Sequence, residues 1–200
     1  MWAKRLVVVA LVSACGAEAV RADELTCQEP FSKTSDHTRL VAAFGPGNVA
    51  SETIYGPEGA TFKASVIFPK DPARRVEIVW WDEKARKRPA RIRVEASGWT
   101  GPGNMRVGMP LQEATEMNGR PFGIYGFGWD YSGTVADWKG GRLAKIPGGC
   151  TLFVQFESDE QAPEAELLKV SGDQEFTSSD AAIVAVKPKV KSFGIGYPQR

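Results

Sequence analysis

The chain has 200 residues, 42% of them hydrophobic and 24% charged, a globular balance that excludes a disordered or fibrous protein. Its 25 basic and 24 acidic side chains nearly cancel, so no global field draws a polyanion such as nucleic acid. A single histidine, His37, excludes a His-rich metal site and leaves one group for any His-dependent catalysis.

The first segment reads as an address. Lys4 and Arg5 precede the apolar run Leu6 to Val12, small residues follow, and Val20-Arg21-Ala22 suits cleavage. The run is too short to span a bilayer. Residues 1–22 are therefore expected to be a signal peptide, and 23–200 a single secreted or envelope domain. Val12-Ser13-Ala14-Cys15 also resembles a bacterial lipoprotein signal, with Val12 where Leu is usual, so acylation of Cys15 stays open. Removing residues 1–22 takes away Lys4, Arg5, Arg21 and Glu18 and leaves a net charge of −1. Cys27 and Cys150 then remain, and in an oxidising compartment they are expected to form one disulfide.

Along the chain, Ser35 to Gly45 reads as a short helix capped by Ser35 and closed by Gly45. Phe62 to Phe68 is a strand stopped by Pro69. Val76–Trp81 and Arg91–Ala96 read as a hairpin whose second strand alternates apolar with charged residues. Gly-Pro-Gly-Asn occurs at 45–48 and again at 101–104, which reads as reused turn chemistry rather than a repeat. Pro110 opens a second helix with Leu111, Ala114 and Met117 on one face, and Gly119 ends it. Phe122–Asp130 and Gly133–Trp138 form a second hairpin, Thr151–Phe156 a strand, and Val190–Tyr197 a last strand with glycines on its thin face. Ile183–Val186 fits strand or helix. Twenty-one glycines and thirteen prolines join these elements by turns. The fold class expected is α+β, mostly antiparallel hairpins with two short helices.

Several motifs recur in this order in a group of secreted bacterial proteins of unassigned function, which the chain resembles. They include Phe44-Gly45, Phe68-Pro69, Met117-Asn118-Gly119-Arg120-Pro121-Phe122, Gly126-Phe127-Gly128-Trp129-Asp130-Tyr131, and Trp138 with Gly141 and Leu143. The resemblance implies export and a single domain, and transfers no functional residue. A shorter stretch, Val107-Gly108-Met109-Pro110-Leu111 to Pro121, is similar to the Gly-Met-Thr helix–turn unit of BamE-like and β-lactamase-inhibitor-protein-like envelope proteins. That likeness implies protein binding, with Pro110 where a Ser or Thr normally caps the helix.

Three constellations could carry function. Tyr125, Phe127, Trp129 and Tyr131 alternate with Gly126, Gly128 and Asp130, so a regular strand would put all four rings on one face. Such a face is either the domain's own core or a stacking platform, with Trp138 a further anchor, and the glycines opposite let another backbone approach. Asp130 and Asp137 lie on the same hairpin and could form an acid–base pair for glycoside hydrolysis. Arg74, Arg75, Lys84, Arg86, Lys87, Arg88, Arg91 and Arg93 crowd one hairpin, either as solvated charges or as a site for lipid heads or acidic glycan, with Arg86, Lys87, Arg88, Arg91 and Arg93 as its patch.

Ser35-Asp36-His37 cannot form a triad, because adjacent residues at one helix start do not face one another; His37 is expected to be exposed. No phosphate loop or metal-ligand cluster is present in the sequence, so no metal and no cofactor is expected. The expectation is a non-enzymatic envelope binding module with a protein or glycan partner and no nucleic acid. The alternatives are a glycan hydrolase using Asp130 and Asp137, or a lipid-facing module reached through the basic hairpin at 74–93 or a lipid on Cys15.

Overall fold

Strands with one apolar face must pair and be covered, and most of this chain does so in one antiparallel sheet. The computed structural model describes residues 23–56 and 59–199; the signal-peptide and Cys15 readings fall outside them. The N-terminal half holds β1 (Asp23–Glu24), α1 (His37–Phe44), β2 (Val49–Tyr55), β3 (Thr61–Ile67), β4 (Val76–Asp82), β5 (Lys87–Val94) and β6 (Trp99–Thr100). Then come α2 (Leu111–Asn118), β7 (Gly123–Tyr125), β8 (Val135–Asp137) and β9 (Thr151–Glu157). The chain ends with α3 (Glu164–Lys169), β10 (Glu175–Thr177), α4 (Ala181–Ala185) and β11 (Lys189–Gly196).

The main sheet runs β2-β3-β4-β5-β11-β9, all neighbours antiparallel. The C-terminal strand thus lies inside the sheet, between β5 and β9. Its glycines are required there, since a Cβ on Gly194 would overlap the Ile92 carbonyl oxygen. A second sheet, β10-β7-β8, is also antiparallel, and β1 and β6 form a two-residue parallel pair. The fold class is α+β. Among the described residues four α-helices stand where two were expected: α3 was not foreseen, and the ambiguous run at 183–186 falls mostly within α4.

Local chemistry sets the helix ends. α1 is capped by Asp36, whose carboxylate accepts from Arg39 N–H at 2.9 Å, and not by Ser35. Ser35 is fully buried and its hydroxyl donates to the Pro30 carbonyl. α2 starts at Pro110 with no side-chain cap and ends at Gly119, whose φ of 78° suits glycine. Both Gly-Pro-Gly-Asn copies form a single 3-10 turn, at Pro46–Asn48 and Pro102–Asn104.

One contiguous core serves all of this. It contains two aromatic clusters. Phe31, Phe44, Phe68 and Trp99 meet at centroid distances of 5.7–6.2 Å and seat α1 and the N-terminal segment. Phe122 packs on Trp138 at 4.8 Å and on Phe156 at 6.1 Å, which holds the smaller sheet to β9. The described residues from 23 to 199 therefore share one compact domain. Cys27 and Cys150 form the expected disulfide, Cα atoms 5.7 Å apart. Beside it the Tyr197 hydroxyl is shared between the Cys27 and Phe31 carbonyl oxygens at 3.0 and 2.9 Å, and burial pushes its pKa up to about 12. No helix among the described residues is long and apolar enough to cross a membrane.

Candidate functional site

The aromatic stretch is not one regular strand. β7 ends at Tyr125, and the next two N–H groups change partner: Gly126 donates to Gln174 and Phe127 to Val170. Gly126 has room for no side chain, because a Cβ would overlap the Val170 carbonyl oxygen. Gly128, at φ +85°, then turns the chain. The four rings therefore part company. Phe127 is buried in the core, Tyr125 is half-buried, and Trp129 and Tyr131 are 64% and 57% exposed. Trp138 is also core, 6% exposed. Phe127 and Trp138 thus serve packing, not a platform.

What remains is a small aromatic turn on a braced backbone. Ser132 N–H donates to the Trp129 carbonyl at 2.9 Å and Thr134 N–H to that of Tyr131 at 2.8 Å. Gln155 reaches the Ser132 carbonyl at 2.9 Å, and the Asp173 carboxylate accepts from Tyr131 N–H at 3.3 Å. Gly133, at φ +64°, lies against β9 so closely that a Cβ would overlap the Phe156 carbonyl oxygen. The glycines do let neighbouring backbone approach, and that backbone is the protein's own. Above this frame the Tyr125 and Tyr131 rings lie 5.1 Å apart. The indole N–H groups of Trp80, Trp81, Trp99 and Trp138 donate to Ser65 Oγ and to the Tyr197, Arg74 and Leu152 carbonyls. Trp129 alone among the described tryptophans has no such partner within the described residues.

The two aspartates do not share a cleft chemistry. Asp130 lies exposed in the turn itself, and Asp137 accepts from Lys139 N–H at 2.8 Å and sits 3.6 Å from its ammonium. Glycoside hydrolysis needs two carboxylates in contrasting environments; both of these are in water.

The basic hairpin splits into two groups. Arg74 pairs with Asp23, Arg75 with Glu52 and Glu77, and Arg93 with Glu95. Lys84, Arg86, Lys87, Arg88 and Arg91 have no carboxylate in reach among the described residues. Arg91 lies in a hollow of about 210 Å³ walled by Ile54, Tyr55, Phe62 and Val79 and lined also by Glu77 and Arg93, with its guanidinium 5.3 Å from the Phe153 ring centre. Burial, and then the Arg93 charge, lower its pKa, although part of the side chain is open to solvent. A guanidinium remains charged regardless at physiological pH.

His37 is half-buried, not exposed. Its Nδ1 is 2.8 Å from Ser65 Oγ, which also accepts from the Trp80 indole at 3.0 Å. Ser65 is fully buried and so out of reach of a substrate. Burial, and secondarily the Arg86 charge, lower the His37 pKa, against a smaller opposing effect of Asp36. The native state then binds fewer protons than the unfolded chain, so stability declines as pH falls through the ordinary imidazole range toward the lowered folded value. Thermal melts across mildly acidic pH should show His37→Asn with a flatter profile than wild type; parallel profiles would exclude His37 as the source.

An apolar cleft of about 410 Å³ lies between Glu24–Gln28, Pro102–Gly103 and Arg142–Pro147. Its Arg142 already donates to the Glu116 and Met117 carbonyls at the end of α2. Among the described residues no group of three or more His, Cys, Asp or Glu is placed to hold a metal ion.

No protein-family model and no curated protein matches the chain. Among solved structures it is similar to the crystal structure of the uncharacterized protein yfeY from Escherichia coli, with 14% identity and a TM-score of 0.44. The match covers 83% of this chain and 91% of that one. At that distance the likeness carries no functional information.

Sequence reasoning missed Tyr55, Trp81 and Phe153, which are 82%, 38% and 36% exposed. Phe153 was findable: Leu152, Val154 and Phe156 face inward, so alternation sends it outward. Tyr55 carried no signal, because β2 was not legible as a strand.

Proposed function

We propose that the chain is an exported, non-enzymatic binding module of the bacterial envelope that engages a glycan or protein partner through Tyr125, Trp129 and Tyr131. The observation that carries this is Trp129, a large exposed ring with an unpartnered indole N–H on a backbone already fixed by its neighbours. Large apolar rings with a polar handle are the usual anchors of interfaces. A frame ordered before binding reduces the entropy lost on association. The Cys27–Cys150 bond supports export to an oxidising compartment.

A glycan strand is the first ligand to test, since stacked rings beside hydroxyl and carboxylate groups suit sugar faces. Co-sedimentation of residues 23–200 with purified peptidoglycan sacculi is expected, and the Trp129→Ala, Tyr131→Ala pair should weaken it at least about tenfold without lowering the melting temperature. Retained binding by the folded double variant removes the turn as the site. Binding to an envelope protein in place of sacculi, with the same loss in the double variant, would identify the partner as protein.

A further inference from the structure

The end of the main sheet remote from the aromatic turn gathers a different chemistry. Register places the β2–β3 and β4–β5 turns side by side: Lys63 N–H donates to the Glu83 carboxylate at 2.8 Å, and Tyr55 pairs with Thr61 at the hairpin end. Gly196 pairs with Arg91 on one side and Thr151 on the other, which sets the end of β11 and the start of β9 beside Arg91. Phe153 is on β9, at the opposite edge of the sheet from Tyr55 on β2, but two exposed rings, Tyr55 and Trp81, lie at that end. So do Lys84, Arg86, Lys87, Arg88 and Arg91.

Nearby carboxylates offset only part of the charge, and Asp36, which pairs with Lys87 across a β-bridge, is turned to the Arg39 N–H. Within residues 82–91 five cations face two carboxylates, a net +3. Both carboxylates are turned to backbone: Asp82 accepts from Ala85 N–H at 2.9 Å and Glu83 from Lys63. The tip is held by main-chain bonds to the residues at the start of α1. Arg86 and Arg88 adopt φ of 53° and 58°, the Arg86 carbonyl accepts from His37 N–H, and Arg88 N–H donates to the Ser35 carbonyl. These main-chain bonds fix the turn while its Lys and Arg side chains stay in solvent.

We infer that this end of the sheet docks on an anionic phospholipid bilayer. One lipid phosphate sits against Arg91 in its hollow, Arg86, Lys87 and Arg88 meet neighbouring headgroups, and Tyr55 and Trp81 lie at the headgroup level. Charge complementarity selects this occupant. Basic side chains attract an anionic leaflet, and Tyr and Trp favour the interface where one end of the ring is wet. A protein or sugar partner would not require a net charge of +3 beside two exposed rings. The surface is separate from the aromatic turn, which lies beyond the β9 edge, and the two sites can be occupied together.

The test is co-sedimentation of residues 23–200 with vesicles of phosphatidylglycerol in phosphatidylcholine, against phosphatidylcholine alone, at low and high salt. Binding is expected on the anionic vesicles only and should weaken with salt. Arg86→Gln, Lys87→Gln and Arg88→Gln together should weaken it about a hundredfold, and Arg91→Gln or Tyr55→Ala alone about fivefold, with unchanged melting temperature. Trp129→Ala should leave it unaltered. Equal binding to neutral vesicles, no binding to either, or full binding by the triple variant each overturns the inference. Vesicle binding fully displaced by soluble glycerol phosphate would also overturn it, because the site would then hold a free anion and no bilayer.

Discussion

Trp138→Ala is expected to lower the free energy of unfolding by about 3–5 kcal/mol, while Trp129→Ala changes it by no more than about 0.5 kcal/mol. The two tryptophans lie nine positions apart on what reads as one hairpin, yet their surroundings differ. Trp138 packs on Phe122 at 4.8 Å and its indole donates to the Leu152 carbonyl, so truncation leaves a cavity and an unpaired carbonyl where the smaller sheet meets β9. Trp129 is mostly in water, and its carbonyl accepts from Ser132 N–H. Urea titration of the two variants beside wild type separates these cases. A loss of several kcal/mol in Trp129→Ala would return that ring to the core and remove the binding surface.

Removing the disulfide is the second large effect. Replacing Cys27 and Cys150 together by serine should lower stability by about 2–4 kcal/mol. The bond joins positions 123 residues apart, so it removes much of the freedom of the unfolded chain. It also holds the segment carrying Leu25 and Phe31 beside the start of β9, and Phe31 is one wall of the Trp99 cluster. Reductant should reproduce the loss in wild type and do nothing to the double variant. An unfolding midpoint in wild type that ignores reductant would contradict this.

Much of the architecture was legible because local pattern and tertiary demand agree. β4 alternates from Val76 to Trp80 and β5 from Arg91 to Val94, with a bulge between Val79 and Trp80, and Gly45 and Gly119 end α1 and α2 where expected. The exceptions have particular causes. β2 reads as polar because it is an edge strand whose outer backbone and side chains meet water, and only Val49 is buried. The aromatic alternation of 125–131 suggested one long strand, but residues 170–174 take over the N–H groups of Gly126 and Phe127, and no local pattern announces a partner so distant. Asp36 displaced Ser35 as the α1 cap because Ser35 is drawn inward to Pro30. The basic hairpin looked uniform in sequence. Cross-strand and loop carboxylates neutralise Arg74, Arg75 and Arg93, and only the folded register distinguishes those from the five left unpaired.

The binding claim rests on Trp129, and nitrogen-15 NMR of its indole addresses that residue directly. Residues 23–200 carry five indole N–H groups, four of them hydrogen-bonded within the fold. Titration with soluble peptidoglycan glycan-strand fragments should shift the Trp129 indole and the Tyr131 amide, and leave the Trp99 and Trp138 indoles in place. Shifts that cluster elsewhere while Trp129 stays fixed, or no shift with either glycan or captured envelope protein, would contradict the aromatic turn as the binding surface.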